Sequence, residues 1–443
     1  MTNYLKTMVK DWHQGKVYGI MSACTASAFC IEAVMLDAKK RGSPALIEAT
    51  ANQINQFGGY TGMRPADYYK FVMDIAGKTG VAPDMIILGG DHLGPLPFKT
   101  EASVTAMQKA EVLVREYAAS GFGKIHLDTS MRLGDDDPQK PLSDSVIAER
   151  AARLAAAALS GYEELRQQNK SAEFPVFVIG SDVPIPGGAQ EAETGLSVTT
   201  VEDLENTITA FREVFAARAL QAVWDNVIGV VIQSGAEFGD SELLPYDREK
   251  NRGLTCSLKK HGNIIFEGHS TDYQSPACLK NMVQDGICIL KVGPGLTFYQ
   301  REALFALSAI EKELLGDAGD LANFPEVLEK AMLENPAEWS KYYHGTAEER
   351  RFKRKYSYSG RSRYYFQCPQ VSKAIDKLIF NLSKLNIPIT LLSQYMPLEA
   401  LKVREGLIEA KPRPLILSRV TDLIDEYVFA AHLPWRHMRS APA

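Results

Sequence analysis

The feature that most constrains the fold is a series of eight short apolar runs, spaced through the first 300 residues with helix-length segments between them. Continuous apolar runs of this length are typical of parallel strands that are covered on both faces. Eight strands alternating with helices predict an α/β fold, a (β/α)8 TIM barrel. A doubly wound sheet is the alternative, but it usually carries a glycine-rich dinucleotide turn, and no G-x-G-x-x-G follows an early strand. The runs are YGIMSAC (18–24), PALIEAT (44–50), DMIILGGDH (84–92), GKIHLDTS (123–130), PVFVIGSD (175–182), NVIGVVIQSG (226–235), NIIFEGHS (263–270) and GICILKVGP (286–294).

The pattern changes after about residue 300, where amphipathic helices and a basic, aromatic segment (348–366) replace the apolar runs. We therefore predict two parts: a barrel over residues 1–309 and a helical extension over 310–443 that packs on the barrel. With 443 residues, of which 45% are hydrophobic, the chain is long enough to bury a large core.

Composition and charge argue against several classes of protein. A net charge of −5 and a pI of about 6.0 do not suit a nucleic-acid partner. No run reaches the roughly 18 apolar residues of a membrane span, and the N-terminal residues lack the apolar stretch of a signal peptide. The six cysteines are scattered without a Cys-x-x-Cys pair, which predicts reduced thiols in a cytoplasmic protein.

The active site of such a barrel lies where the strands end. In the stretch IILGGDHLGP (86–95), an apolar run stops at two glycines, and an acid and an imidazole, Asp91 and His92, follow side by side. Either residue alone would be explained as a helix cap or a simple hydrogen-bonding group. A ring of acids, imidazoles and a lysine is harder to explain in this way, because such groups are poorly solvated together unless a cation or a substrate binds among them. The other polar residues at predicted strand ends are Cys24, Glu48, Asp128, Asp182, Gln233, Glu237, Glu267, His269, Asp272 and Lys291.

Two histidines in this ring, His92 and His269, suggest a divalent metal ion, either zinc or a manganese-like ion. The sequence leaves the remaining ligands open among Asp128, Glu237 and Glu267. We expect the other six histidines to lie outside the ring. His126 is excluded because it lies in mid-strand, and the remaining five lie away from the predicted strand ends: His13, His261, His344, His432 and His437.

Candidate substrate-binding groups lie at the ends of the sixth to eighth runs, in Gln233, Asp272 and Lys291. Lys291 is open to three interpretations: a Schiff base, a phosphate contact, or an ion pair with Glu48. The adjoining VGPG turn (292–295) offers backbone N–H groups to an anion.

Three further segments are candidates for the rim of the site. The glycine-rich loops 55–63 and 180–188 are long enough to fold over the barrel mouth, although both are also explained as simple turns. In the basic segment, Arg361 and Arg363 lie among serines and tyrosines, which suits an anion clamp or, equally, a solvated helix face.

Several of these motifs together resemble a known family. IILGGDHLGP, KIHLDTSM (124–131), EGHSTDYQ (267–274) and RKYSYSGRSRYYF (354–366) are similar to motifs of the Z subunits of class II D-tagatose-1,6-bisphosphate aldolase, in the same order. The resemblance runs from about residue 4 to 425 and implies a (β/α)8 barrel with a helical extension. Family members are described as non-catalytic partners of a catalytic aldolase chain, as D-tagatose 6-phosphate 4-epimerases or, under older labels, as tagatose-6-phosphate kinases.

The resemblance also implies roles for residues. In the catalytic class II aldolases an Asp-His pair follows a strand, its histidine binds zinc and its aspartate moves a proton, and GGDH resembles that pair. EGHS resembles their histidine-bearing seventh strand, whereas Lys291 stands where a third histidine is usual. The implied substrate is a phosphorylated ketohexose, from galactitol or tagatose catabolism, with no nucleotide. The implied partner is a second copy of this chain or a catalytic aldolase chain.

Chemistry favours one of these activities. No G-x-x-x-x-G-K-[ST] cradle is present for a kinase, and a purely stabilising subunit has no use for converging histidines and acids, although an inherited inactive site would look the same. The C4 hydrogen of a 2-ketose is not next to the carbonyl, so its direct removal is excluded, and no nicotinamide motif supports oxidation.

Retro-aldol cleavage between C3 and C4 remains, with a divalent ion as the Lewis acid and Asp91 as the group that takes the C4 hydroxyl proton. We therefore predict a metal-dependent ketose-phosphate 4-epimerase, with the non-catalytic subunit as the alternative. Glu48 and Glu267 are the further catalytic candidates.

Overall fold

A computed structural model describes residues 2–184, 197–316 and 319–431. Its centre is a closed barrel of eight parallel strands, each overlapping one of the eight apolar runs, so the predicted fold class is confirmed. The barrel strands are β1 (Ile20–Cys24), β2 (Ala45–Thr50), β3 (Ile86–Leu93), β4 (Lys124–Leu127), β5 (Val176–Ile179), β6 (Val227–Ile232), β9 (Ile265–Gly268) and β10 (Ile287–Val292). A short antiparallel hairpin, β7 (Glu237–Phe238) with β8 (Leu243–Leu244), is inserted after β6. Around the barrel the hydrogen-bonded order is β1-β10-β9-β6-β5-β4-β3-β2.

Helices connect the strands and form the extension. None of the helices within the described ranges is long and apolar enough to cross a membrane. Those up to the end of the barrel are α1 (Thr2–His13), α2 (Ala28–Arg41), α3 (Pro65–Thr79), α4 (Ser103–Ala119), α5 (Asp144–Gln168), α6 (Val201–Ala217), α7 (Gln221–Trp224), α8 (Arg248–Leu258), α9 (Pro276–Gln284) and α10 (Pro294–Leu315). Those that follow are α11 (Phe324–Glu334), α12 (Ala347–Tyr356), α13 (Pro369–Ser383), α14 (Ile389–Tyr395), α15 (Pro397–Arg404) and α16 (Pro412–Ala431). Single 3₁₀ turns span Gly59–Thr61, Pro83–Met85, Leu96–Phe98, Pro336–Glu338 and Arg361–Tyr365.

Apolar side chains form two cores, one around the barrel strands and one inside the extension. Helix α10 belongs to both, because Leu296 lies in the barrel core whereas Leu304 and Leu307 lie in the extension core. This helix runs across the division that the sequence suggested at residue 309, and the division itself stays a prediction.

The last described helix returns to the barrel. Leu423, Ile424 and Tyr427 of α16 are buried in the barrel core, and the helix packs against β1, α2 and α9. A helix of the predicted extension, α16, therefore covers part of the outer face of the barrel.

Candidate active site at the barrel mouth

The two glycines of GGDH make room for the residues around them. A Cβ at Gly89 would overlap the carboxylate of Glu48 on the neighbouring strand. A Cβ at Gly90 would lie 2.7 Å from the ring of Tyr117, on α4 outside the barrel. The pair therefore permits close packing on both faces of β3 at the point where the strand leaves its regular path.

Strand β3 delivers two consecutive side chains to the same place. Its register against β4 shifts between Gly90 and Leu93, and His92 has a left-handed φ of 46°. In a regular strand Asp91 and His92 would point to opposite faces, but a bulge re-aims one of them. Both line the cleft at the mouth of the barrel, and a non-glycine residue held at positive φ is a common mark of a functional site.

Three imidazoles lie together at the mouth, and one of them corrects the sequence analysis. The ring centroids of His92 and His269 are 4.6 Å apart, and each lies 5.2 Å from the ring of His126. From its mid-strand position, His126 is predicted to lie outside this ring of residues. However, a residue two positions before Asp128 lies on the same face of the strand, so His126 points into the barrel one layer below it.

The hydrogen bonds of these imidazoles are only partly satisfied. The backbone N–H of His92 donates to His126 Nδ1 (3.1 Å), which also lies 3.0 Å from Asp91 Oδ1. His92 Nδ1 lies 2.7 Å from Asp128 Oδ2. His126 Nε2 and His269 Nδ1 are buried without a hydrogen-bond partner among the described residues.

This donor set fits a divalent cation. Ligand atoms of Asp91, His126, Glu267 and His269 lie within 4.8 Å of one another, and imidazole with carboxylate is a typical zinc set. The two unpartnered imidazole nitrogens are the atoms that a cation would satisfy. Of the predicted ligands, Asp128 instead holds the ring of His92, in the manner of a carboxylate that orients a metal-binding histidine.

A lysine completes the mouth. The Lys291 ammonium forms an ion pair with Asp91 Oδ2 and lies 3.3 Å from His269 Nε2. Burial alone would raise the pKa of the Asp91 carboxyl, but the charges of His92 and Lys291 outweigh it and hold that pKa well below its ordinary range. Burial and the Lys291 charge lower the pKa of His269, so this imidazole is neutral and has a lone pair to offer. We call Asp91, His92, His126, His269 and Lys291 the mouth layer.

A second set of charges lies one pleat deeper. Lys124 Nζ is 2.7 Å from Glu48 Oε1 and 2.7 Å from Glu267 Oε2, and all three side chains are fully buried. Burial raises the pKa of Glu48 despite the charge of Lys124, whereas Lys124 and His269 hold the pKa of Glu267 below its ordinary range. We call this triad the lower layer. Glu267 Oε1 lies 3.2 Å from His269 Nε2, which joins the two layers.

Two predicted catalytic acids therefore lie below the cleft. Glu48 and Glu267 are absent from its described lining, since each is bound to Lys124 in the lower layer. Lys291 pairs with Asp91 and not with Glu48, as one interpretation had it. Lys124 is not among the residues predicted for the site, although the alternation of Lys124, His126 and Asp128 in the sequence indicates one inward-facing row.

The VGPG turn is already occupied by a side chain of the protein. Asp272 Oδ1 accepts hydrogen bonds from the backbone N–H groups of Gly293 (3.0 Å) and Gly295 (2.7 Å) at the start of α10. Burial raises the pKa of Asp272 to about 6, although these two hydrogen bonds act in the opposite direction. The turn that the sequence offered to a substrate anion thus holds a carboxylate of the same chain.

The extension contributes the outer wall of the cleft. Arg363 and Tyr364 line it, and the ring of Tyr364 packs on Tyr60 from the loop after β2, with centroids 4.5 Å apart. Arg363 donates to the carbonyl of Gly360 and to the hydroxyl of Tyr364, and no described carboxylate lies within 4.0 Å of it. Arg361 does not line the cleft: it is buried, and its guanidinium lies 3.3 Å from the ring centroid of Tyr342.

Two other predicted residues also lie outside the described lining of the cleft. Gln233 Oε1 accepts the N–H of Gly235, and Glu237 Oε1 in the hairpin accepts the N–H of Phe238. Of the loop 180–188, Pro184 reaches the cleft, and residues 185–188 lie outside the described residues, as do His432 and His437.

Comparison with known proteins places the chain beside sugar-phosphate proteins. Residues 5–432 match the family described as D-tagatose-1,6-bisphosphate aldolase subunit GatZ/KbaZ-like. A crystal structure of a probable tagatose 6 phosphate kinase from Sinorhizobium meliloti 1021 is 42% identical, covers 94% of this chain and 100% of its own, and has a TM-score of 0.84. The YdjI aldolase from Escherichia coli K12 is 12% identical, with 89% and 97% coverage and a TM-score of 0.41. A fructose-bisphosphate aldolase from Campylobacter jejuni is 15% identical, with 89% and 93% coverage and a TM-score of 0.42.

Proposed function

Because this chain belongs to the GatZ/KbaZ-like family of D-tagatose-1,6-bisphosphate aldolase subunits, we propose that it is a ketose-phosphate 4-epimerase acting by retro-aldol chemistry. Its substrates would be D-tagatose 6-phosphate and D-fructose 6-phosphate, which differ only at C4. The observation that carries the proposal is the mouth layer, where a carboxylate, two imidazoles and a lysine line one cleft and a third imidazole, His126, is buried against them.

The reaction needs one proton acceptor and one electrophile. Asp91 takes the proton of the C4 hydroxyl, the C3–C4 bond breaks, and C4 becomes the aldehyde carbon of a three-carbon phosphate. The electron pair of the broken bond passes to the C1–C3 half as an enediolate. The aldehyde then turns over, the bond forms again on its other face, and the proton returns to the C4 oxygen.

Lys291 suits the electrophile because its charge already lies beside Asp91. Burial opposes ionisation, but the charge of Asp91 outweighs it and raises the pKa of Lys291, which keeps the ammonium protonated and argues against a Schiff base. When the Lys291 ammonium instead donates a hydrogen bond to the oxygen of the ketose carbonyl, Asp91 loses its nearest cation. Its pKa then returns toward the ordinary range, and the carboxylate becomes a better base at the moment it is needed.

The same residues would hold a divalent metal ion through Asp91, His126, His269 and Glu267, with His92 beside them. Such an ion supplies Lewis-acid polarisation of the carbonyl when bound. Asp128 orients His92, and Glu267 orients His269, whether the imidazoles bind an ion or a substrate oxygen.

The deciding experiment uses the purified chain alone with D-tagatose 6-phosphate. We expect D-fructose 6-phosphate to form and the reverse reaction to reach the same mixture. In D2O the hydrogen on C4 should be retained, because retro-aldol cleavage breaks a C–C bond and leaves that C–H bond intact.

The alternative function, a non-catalytic stabilising subunit, predicts the opposite pattern. The chain alone would then convert nothing, but its co-expression would raise the yield and thermal stability of a catalytic aldolase chain. Exchange of the C4 hydrogen with solvent would contradict the mechanism even if the epimerisation occurred.

A further inference from the structure

The capping of α10 by Asp272 bears on which substrates the cleft accepts. The side chain is buried with 3% exposure, and its Oδ1 takes both N–H groups at the start of a 22-residue helix. A Cβ at Gly295 would lie 3.0 Å from that oxygen, so the glycine allows the carboxylate to reach both donors. Asp272, Gly293 and Pro294 all line the cleft.

This position is where barrel enzymes commonly bind phosphate. The loops after the last two strands and a helix N-terminus together present backbone N–H groups and a positive dipole end to the anion. In this chain the same two N–H groups already bind an anion, the carboxylate of Asp272. A phosphate brought to these two groups would meet a buried negative charge and find both donors taken.

The cations that line the cleft can accommodate one anion. Lys291 is paired with Asp91. Arg363 has no described carboxylate within 4.0 Å, and its guanidinium is the remaining permanently charged cation in the described lining. One phosphate can therefore be neutralised at Arg363, and a second would find no further lysine or arginine in that lining and no free N–H at Gly293 or Gly295.

We propose that Asp272 restricts this cleft to ligands with a single phosphate, by filling with its own carboxylate the backbone N–H pair that would otherwise hold a second one. The inference rests on the proposed function in that the ligand is a phosphorylated ketohexose. It deepens that function by excluding the ketohexose 1,6-bisphosphate from the cleft, although the family takes its name from a 1,6-bisphosphate aldolase.

The test compares the binding of two unreactive probes by calorimetry, D-glucitol 6-phosphate and D-glucitol 1,6-bisphosphate. Both lack the carbonyl, so turnover does not enter the measurement and a failed epimerase assay does not decide the outcome. We expect the native chain to bind the monophosphate at least about tenfold more tightly, since a like-charge contact costs several kcal/mol.

Two variants separate occupancy from charge. Asp272→Ala frees the N–H groups of Gly293 and Gly295. We expect this variant to lower the ratio of monophosphate to bisphosphate affinity by at least about tenfold, so that the preference for the monophosphate narrows or inverts. Asp272→Asn keeps an oxygen acceptor on the pair but removes the charge, and we expect it to bind the bisphosphate more tightly than the native chain and less tightly than the alanine variant. If the alanine variant does not fold, the asparagine variant still decides the question through the same ratio.

The matched control is Asp247→Ala. Asp247 caps α8 in the same way, accepting the N–H groups of Glu249 and Lys250, but it does not line the cleft. Its loss should leave the ratio of the two affinities unchanged. Equal binding of both probes by the native chain, binding of neither, or a ratio that does not change in the Asp272 variants would overturn the proposal.

Discussion

The two charged layers inside the barrel lie one pleat apart and differ in their access to the cleft. In the lower layer, Lys124 is shared by Glu48 and Glu267 at 2.7 Å each, with no solvent exposure. In the mouth layer, Asp91, His92, His269 and Lys291 line the cleft, whereas none of the three lower-layer residues is in its described lining. Both layers contain buried polar atoms without a hydrogen bond among the described residues, such as His269 Nδ1 in the mouth layer and Glu48 Oε2 in the lower layer. The difference indicates that one layer holds the barrel together, whereas the other is built to receive a ligand.

Chelation should have the largest effect on activity if the mouth layer binds a divalent ion. If the mouth layer binds a divalent ion, exhaustive chelation abolishes epimerisation, and added zinc or manganese restores it. Activity assays with elemental analysis of the same samples check this. Full turnover by a preparation that contains no metal would remove the ion from the mechanism and leave Lys291 as the sole electrophile.

Asp91→Asn should follow, with a loss of roughly 10²–10⁴-fold in kcat, the range expected when a general base is lost. The amide keeps the shape of the side chain, so KM should change much less. His269→Ala is the comparison, because it removes one of the imidazoles that would hold the ion. It should lower metal content together with rate, whereas Asp91→Asn keeps an oxygen donor and should lower the rate with a smaller loss of metal. An Asp91→Asn variant with near-normal kcat would mean that the carboxylate is structural and that the base lies elsewhere.

Lys124→Met should have the smallest effect on turnover per folded molecule and a large effect on stability. It leaves two buried carboxylates without a cation, and breaking a buried pair in this way costs about 3–5 kcal/mol. Without Lys124 the folded-state pKa values of both carboxyls lie above their unfolded values. The variant therefore loses stability as pH rises, and its deficit should be smaller at pH 5 than at pH 8.

Denaturant unfolding at the two pH values checks the prediction for Lys124, with Glu48→Gln as the matched control. That variant keeps one lysine–carboxylate pair and should cost far less. If Lys124→Met unfolded normally but lost its turnover, the lower layer would belong to the reaction, and the distinction between the layers would fail.

Much of this architecture could be predicted from the sequence because strand patterns are local. The eight apolar runs identified the eight barrel strands, and placing the site at strand ends located Asp91, His92, His269, Asp272 and Lys291 at one cleft. Depth within the barrel was harder to predict, because it depends on register between strands. Glu48 and Asp91 are both acidic residues at the end of an apolar run. Nevertheless, Glu48 binds Lys124 below the cleft, whereas Asp91 binds Lys291 within it.

Other features depended on contacts that no local pattern reports. The left-handed φ of His92 and the register shift beside it decide that Asp91 and His92 face the same way. Asp272 reaches the N–H groups of Gly293 and Gly295 across 21 and 23 residues of sequence. The prediction that His126 lies outside the site was wrong for a different reason. His126 and Asp128 are two residues apart on β4, so the alternation of the strand places them on the same face, and this alternation is visible in the sequence.

The position of α16 has a consequence for how the chain is made. This helix covers β1 and α2, which precede the other barrel strands in the chain, yet it begins at Pro412, 120 residues after β10 ends at Val292. At about 5–20 residues per second, the strands are complete roughly 6–24 seconds before their last cover is synthesised. During that interval β1 lacks the helix α16 that packs against it, so nascent chains should engage chaperones until α16 emerges.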